Sequence, residues 1–323
     1  MKKQRLFILF IIIFITSGCS PSEVSDPSDT ESAWRIVKTD TNQTFTFVPL
    51  YESYANYLNE SDEASSRQGD QAKLEETVVQ DMKDAADELD VALPFAYARP
   101  FFAPTPYKKA LSERIDQLKA RETEIQRTIE QAARDSAKQL AGEDKVVFIA
   151  PLLTDFDNAV ESMGGVTAFA LEKDVIVILV REDVDLEMLA FVMAHEYHHT
   201  VLAEDPEVRS TSLLDYIVGE GKADTFAKSL YPDVRPVWMD ELDPTTREQL
   251  MDQIATGQVD YAQLTNGDET LGVPRWSGYQ IGGEIVNGYL HEHPDLEVEA
   301  WTNLPSEEMV KSSLYAESFE LGD

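Results

Sequence analysis

Cysteine, histidine and basic residues are scarce in this sequence. The 323 residues include one cysteine, Cys19, and five histidines. A single cysteine excludes a disulfide within the chain, so a hydrophobic core has to stabilise the fold, and the chain is long enough to build one. Lysine and arginine total 27 against 60 acidic residues, which gives a net charge of −33. Because that charge repels phosphate, we expect no nucleic-acid partner.

Apolar runs long enough to cross a membrane are also missing. The longest, Leu6–Ile15, follows three basic residues and has the length of a signal-peptide core. Small residues then lead to Cys19, and the whole segment resembles a bacterial lipoprotein signal. We therefore expect a signal peptide over residues 1–18, a lipid on Cys19 and a Pro-, Ser- and acid-rich flexible tether over residues 19–34. The protein would then sit on the outer face of the cell membrane; an uncleaved N-terminal anchor is the alternative.

The rest of the chain divides by its pattern at about residue 145. Residues 35–144 are predicted to be mainly helical, with one long helix around KKALSERIDQLKARETEIQRTIEQAARDSAKQLAG and Gly142 as its C-cap. Residues 145–318 combine strands with helices, and we expect both parts to form one compact α+β domain. The predicted strands are VVFIAPLL, GGVTAFAL and VIVILV, and the predicted helices cover about 185–202, 211–230, 281–291 and 306–314. Asp185 is the candidate N-cap of the first of these helices.

Three of the five histidines lie in HEYHH, residues 195–199. His195 and His199 are four residues apart, so on a helix both imidazoles lie on one face and reach a single Zn²⁺. Glu196, directly after the first histidine, projects beside the metal and is placed to act as a general base and acid. The spacing therefore predicts a catalytic zinc site.

A third protein ligand is needed, and the sequence offers Glu220 and Asp205. Glu220 and Asp224 share one face of the next helix with apolar residues, so a zinc ligand and a hydrogen-bond partner for a ligating histidine would account for both acids. Asp205 lies six residues after His199, the place of the third ligand in one group of zinc peptidases with the same histidine spacing. That group has a glycine that lets the chain turn back towards the metal, and this chain has Leu202 at the corresponding position. The pattern favours Glu220 without excluding Asp205.

HEYHH followed by E220-x-x-x-D224 resembles the gluzincin arrangement of zinc peptidases. From Lys145 to Val310 the chain is similar to a bacterial family of predicted Zn-dependent proteases, through GGVTAFA, HEYHHTVL, GEGKAD and WSGYQIGGEIVNGYL. The resemblance implies a zincin-like fold, with a small sheet above an active-site helix. It also implies His195, His199 and Glu220 as ligands, Glu196 as base and acid, and Asp224 as the group that supports a ligating histidine.

Tyr279, in RWSGYQIGG, is a candidate donor to an oxyanion, and Arg275 is a weaker one. His198 points about 100° away from the ligand face and is predicted to pack. His291 and His293 are best explained as cations at a helix C-terminus, although either could instead reach the site. The strand at Val166–Ala170 is a candidate for pairing with an extended substrate.

These residues predict an exported, lipid-anchored zinc metallopeptidase that acts on a peptide or protein substrate. The alternative is a non-catalytic zinc-binding or interaction lipoprotein with a vestigial protease site. Glu196 argues against that alternative, because metal storage needs no general base.

Overall fold

Five strands form one mixed sheet in the computed structural model, which describes residues 35–61, 67–96, 98–205 and 212–319. Their order across the sheet is β1-β2-β3-β5-β4. The β2/β3 and β3/β5 pairs are parallel, and the two outer pairs are antiparallel. The strands are β1 (Arg35–Lys38), β2 (Thr44–Pro49), β3 (Lys145–Pro151), β4 (Val166–Glu172) and β5 (Val175–Val180).

The central strands follow directly from the sequence. KVVFIAP and VIVILV are buried along their whole length, as expected for parallel strands covered on both faces. The three predicted strands are thus confirmed, and so is the α+β class. The prediction for residues 35–144 was incomplete, because β1 and β2 come from this region and β2 pairs with β3.

Twelve α-helices accompany the sheet within the described residues. They are α1 (Tyr51–Glu60), α2 (Arg67–Leu74), α3 (Gln80–Glu88), α4 (Lys108–Gln139), α5 (Asp157–Val160), α6 (Leu186–Leu202), α7 (Leu213–Leu230), α8 (Pro244–Ala255), α9 (Tyr261–Asn266), α10 (Ser277–Glu292), α11 (Val298–Thr302) and α12 (Ser306–Lys311). None of the helices in this part of the chain combines the length and the apolar character that a bilayer span requires. The predicted signal peptide, tether and lipidated Cys19 lie outside the described residues.

The predicted C-cap of the long helix was wrong. Helix α4 ends at Gln139, and its cap is Leu140 in an extended conformation that leads towards β3. Gly142 has a different reason to be small: a Cβ there would lie 2.8 Å from the Val201 side chain and 3.0 Å from the Tyr197 hydroxyl. The glycine therefore lets the chain pass close to α6.

Helix α6 begins as the sequence predicts. The Asp185 side chain accepts hydrogen bonds from the backbone N–H groups of Glu187 and Met188, at 2.9 and 3.1 Å. Helix α7 begins after Ser212, which forms a reciprocal capping box with Asp215. These two caps fix the residue at which each helix starts. They therefore also fix the positions of the residues further along α6 and α7.

Candidate metal centre

Helix α6 brings two histidine nitrogens together below the sheet. The Nε2 atoms of His195 and His199 are 3.0 Å apart, because residues four apart on a helix lie on one face. His195 is almost fully buried, and His199 is half-buried at the floor of a cleft. This confirms the shared orientation that the HExxH spacing predicts.

Helix α7 supplies the third donor. Glu220 Oε2 lies 3.3 Å from His195 Nε2 and 3.2 Å from His199 Nε2, and its side chain is buried. Zinc bonds of about 2.0–2.1 Å in tetrahedral geometry would separate neighbouring ligand atoms by about 3.3–3.4 Å. The triangle of donors and the His₂Glu composition therefore suit a zinc ion. Asp205, the rival ligand, is exposed and is not part of this group.

Asp224 holds His195 from the opposite side. Its Oδ1 lies 2.9 Å from His195 Nδ1 and accepts a second hydrogen bond from Trp238 Nε1 at 3.1 Å. With the Nδ1 proton directed at the carboxylate, the Nε2 lone pair of His195 faces the site. Asp224 therefore lies where the sequence places it, and Trp238 is an addition that the sequence did not indicate.

Tyr261 is a contact that sequence reasoning missed. Its hydroxyl donates a hydrogen bond of 2.6 Å to Glu220 Oε1, the carboxylate oxygen that faces away from the histidines. The only local signal is a capping box, in which Asp260 and Gln263 begin helix α9. That pattern predicts a helix start, but nothing in it brings a phenol to a residue 41 positions away.

Glu196 is buried beside the three donors. Its Oε2 accepts a hydrogen bond of 2.7 Å from the backbone N–H of Ala170 on β4. Burial raises the pKa of Glu196, and the positive charge of His195 and His199 only partly opposes this. A carboxylate whose pKa is raised towards neutrality is better suited to take up and return a proton.

Charges in the centre compensate one another. Burial alone would favour neutral Glu220, but the neighbouring His199 and His195 outweigh it and hold the pKa of Glu220 well below its usual range. Burial alone would also disfavour a charged His195, but its hydrogen bonds to Asp224 and Glu220 raise the pKa well above the ordinary value. The acidic and basic groups of the centre therefore each offset the cost of burying the other.

Tyr279 reaches the centre from helix α10. Its ring stacks on that of His195 with a centroid distance of 6.2 Å and an interplanar angle of 22°. Burial, reinforced by Glu220, raises the pKa of Tyr279 well above 10, so its hydroxyl keeps its proton. That hydroxyl makes no hydrogen bond to any residue the structure describes, so it remains available to an acceptor in the cleft.

Two glycines allow α10 to approach α7. A Cβ on Gly282 would lie 2.0 Å from the Ile217 carbonyl oxygen, and a Cβ on Gly221 would lie 2.2 Å from the Gly282 backbone. Only glycines permit helix backbones to come so close. The crossing brings Tyr279 of α10 and Glu220 of α7 to the same centre.

The remaining predicted candidates lie elsewhere. His198 is buried, with its Nε2 3.2 Å from Thr302 Oγ1 and its ring stacked on Trp301, in keeping with the packing role. His291 and His293 are exposed at the end of α10 and do not join the metal-binding group. Arg275 stands on the segment before α10, at the wall of the cleft.

The centre opens into a cleft along the edge strand. A cavity of about 450 Å³ lies over the three donors and is bordered by Ala168–Glu172 of β4. The carbonyl of Gly165, just before β4, accepts a hydrogen bond of 2.8 Å from the backbone N–H of Arg181. Because hydrogen-bonded residues alternate along an antiparallel pair, the backbone N–H and C=O groups of the odd-numbered β4 residues point towards β5. Ala168 and Ala170 therefore present backbone groups to the cleft, and one of them already donates to Glu196.

A family described as a predicted Zn-dependent protease (DUF2268) matches residues 125–311, more than half of the chain. No curated protein and no solved structure matches.

Proposed function

We propose that this chain, which belongs to the family of predicted Zn-dependent proteases, is a zinc metallopeptidase that hydrolyses peptide bonds. The observation that carries the proposal is the meeting of His195, His199 and Glu220 at one point, with Glu196 beside them. The distances between the three donor atoms fit zinc, and Glu196 is not one of the three donors. The family description and this arrangement support each other.

A zinc ion held by the three donors would act as a Lewis acid towards a carbonyl oxygen and would lower the pKa of a water molecule towards about 7. Glu196 then takes a proton from the attacking water and returns it to the leaving nitrogen. Its hydrogen bond from Ala170 N fixes the carboxylate next to the strand that receives the substrate. The raised pKa of Glu196 favours both transfers.

Two further groups would act on the substrate itself. The Tyr279 hydroxyl donates a hydrogen bond to the negative oxygen that develops as the carbonyl is attacked. The backbone groups of Ala168 and the carbonyl of Ala170, whose N–H already donates to Glu196, pair with an extended peptide, which adds a strand to β4 at the outer edge of the described sheet. Together they orient the scissile bond over the metal centre.

The lipid anchor is part of the proposal on sequence grounds alone. The basic start, the short apolar run and Cys19 support an exported protein tethered to the membrane. Mass spectrometry of the protein from its native host would detect a diacylglyceryl group on an N-terminal Cys19. An unmodified N-terminal Met1 would contradict this part.

Zinc content tests the metal centre directly. We expect about one zinc per molecule of the full chain after dialysis against a weak chelator, because three converging donors bind tightly. His199→Ala should lose the metal, since two donors remain. A wild-type chain with no stoichiometric metal would overturn the proposal.

Glu196→Gln separates binding from chemistry. The amide keeps the size of the side chain but cannot accept the water's proton, so the variant should retain zinc and lose peptide hydrolysis. Glu187→Gln, an exposed change on the same helix, is the matched control and should keep both. Normal turnover by Glu196→Gln would refute the mechanism; loss of zinc in this variant, with no hydrolysis by wild type, would favour the zinc-binding lipoprotein.

A further inference from the structure

Two cavities of different character meet at the metal centre. The first, of about 450 Å³, extends towards the Glu172 end of β4. The second, of about 340 Å³, extends towards Thr167 at the other end of the strand. His195, Glu196 and Tyr279 border both cavities, so the reacting atoms of a substrate would lie between them.

The walls of the second cavity are mostly apolar and aromatic. The Phe101 ring lies 4.7 Å, centroid to centroid, from the rings of both Phe156 and Phe169. A volume of about 340 Å³ is at the small end of ligand pockets, which measure about 300–1,000 Å³. It suits one large side chain of a longer molecule. The main apolar contributors are Phe101, Phe156, Met163, Val192, Trp238 and Trp276.

Arg275 adds a positive charge to this wall. Its guanidinium lies 4.1 Å from the centroid of the Trp276 ring, and Nη1 donates one hydrogen bond of 3.3 Å to the Ala159 carbonyl. No carboxylate of the described residues lies within ion-pair distance, although the chain has 60 acidic residues. A planar guanidinium held by stacking, with N–H groups to spare, is suited to bind a carboxylate.

The charges along the cleft give a bound peptide a direction. Glu172 borders the first cavity, and Arg275 borders the second. The positive amino end of a peptide is favoured near Glu172 and its negative carboxyl end near Arg275. Since β4 runs from Val166 to Glu172, this direction is antiparallel to β4, the more common pairing of strands.

We propose that the second cavity receives a large apolar or aromatic side chain on the carboxyl side of the scissile bond, and that Arg275 binds a carboxylate of the same peptide beyond it. This inference rests on the proposed peptidase function. It names the substrate class as peptides in which a bulky apolar residue is followed by an acidic residue or by a last residue with a free carboxyl terminus. The side chain of the acidic residue and the free carboxyl terminus each present a carboxylate to Arg275.

Hydrolysis of matched peptides by the zinc-loaded full chain tests the apolar preference. One peptide carries Phe at a single position of an otherwise Ala- and Gly-containing sequence, and its partner carries Ala there; both are capped. We expect cleavage on the amino side of Phe, with kcat/KM about 10- to 200-fold higher than for the Ala partner. Equal rates, or cleavage on the carboxyl side of Phe, would overturn the inference.

The carboxylate is tested by three versions of the Phe peptide. One has Glu after Phe and an amide end, one has Gln after Phe and an amide end, and one has Gln and a free carboxyl terminus. We expect the Gln amide to be cleaved about tenfold more slowly than one of the other two, and the faster of those identifies the source of the carboxylate. Identical rates for all three would refute the role of Arg275.

Variants connect these preferences to the cavity. Arg275→Gln should remove the carboxylate preference, so that the Phe peptides with and without the carboxylate are cleaved at the same rate as each other. Arg134→Gln, which removes a guanidinium that likewise bonds to a backbone carbonyl, that of Lys38, is the matched control and should keep the preference. Ala159→Phe should fill the cavity and reverse the preference for Phe over Ala.

Binding distinguishes failure of this inference from failure of the proposed function. The zinc-loaded Glu196→Gln chain should bind the Phe–Glu peptide about tenfold or more tightly than the Ala–Gln partner by calorimetry. Hydrolysis without any preference would overturn the inference alone. Zinc binding without hydrolysis of any peptide would overturn the proposed function, whatever the calorimetry shows.

Discussion

The crossing of α7 and α10 makes Gly282→Ala a sharp test of the architecture. In an exposed helix, Gly to Ala normally stabilises by up to about 1 kcal/mol. Here the new Cβ would lie 2.0 Å from the Ile217 carbonyl oxygen, whereas a carbon and an oxygen in contact are about 3.3 Å apart. One helix therefore has to shift by about 1 Å. The change in the free energy of unfolding should therefore be a loss of stability, opposite to the gain expected from helix propensity.

The magnitude follows from the shift. Forcing atoms into a packed interface costs about 1–3 kcal/mol, and we expect Gly282→Ala to lower the free energy of unfolding by that amount. Tyr279 lies on the displaced helix and Glu220 on its partner. Because a misplacement of about 1 Å can cost about 10²-fold in rate, kcat/KM should fall by a similar factor.

Gly288 on the same helix is the matched control. A Cβ there meets nothing within 4 Å, and the residue is exposed. Gly288→Ala should raise the free energy of unfolding by about 0.5–1 kcal/mol and leave hydrolysis unchanged. Both variants would be measured by denaturant unfolding, zinc content and peptide hydrolysis. A Gly282→Ala protein as stable and as active as Gly288→Ala would refute the close approach.

Three further changes probe single contacts. Asp224→Asn should weaken zinc binding about 10- to 100-fold in a chelator competition, because His195 loses the carboxylate that orients it; unchanged affinity would contradict this role. Tyr279→Phe should lower kcat by about 10²-fold with zinc content and KM unchanged, and an unaltered kcat would exclude the hydroxyl from transition-state binding. Burial lowers the pKa of Lys222 to about 8, so between about pH 8 and pH 10 the unfolded chain binds more protons and wild-type stability should rise with pH. In Lys222→Met this contribution is absent. If the free energy of unfolding, measured with denaturant, changed equally between pH 8 and pH 9.5 in the wild type and in the variant, this account of Lys222 would be refuted.

Local patterns carried most of the prediction. The spacing of His195 and His199 and the cap at Asp185 depend on residues a few positions apart, and the structure has both as the sequence indicates. Glu220 was identified because a buried carboxylate needs a partner. The orientation of Asp224 towards His195 followed from the same reasoning.

The contacts that were missed join distant segments. Tyr261 meets Glu220 across 41 positions, and the N–H of Ala170 meets Glu196 across 26. Neither residue differs in type from tyrosines and alanines that merely pack. Strands β1 and β2 were missed for a related reason: both are short, β2 depends on pairing with β3, about 100 residues away, and β1 depends on pairing with β2.

The outer edge of β4, on which no other strand of the described residues pairs, decides what kind of polypeptide this cleft can hold. A chain pairs with Ala168 and Ala170 only if its own backbone N–H and C=O groups are unpaired over several residues. In a folded protein nearly all such groups are already bonded within helices and sheets. Under the proposed function, folded neighbours on the cell surface would therefore resist cleavage, and a target would become a substrate when a segment locally unfolds. The stability of the target, as well as its sequence, would then set how fast it is cut.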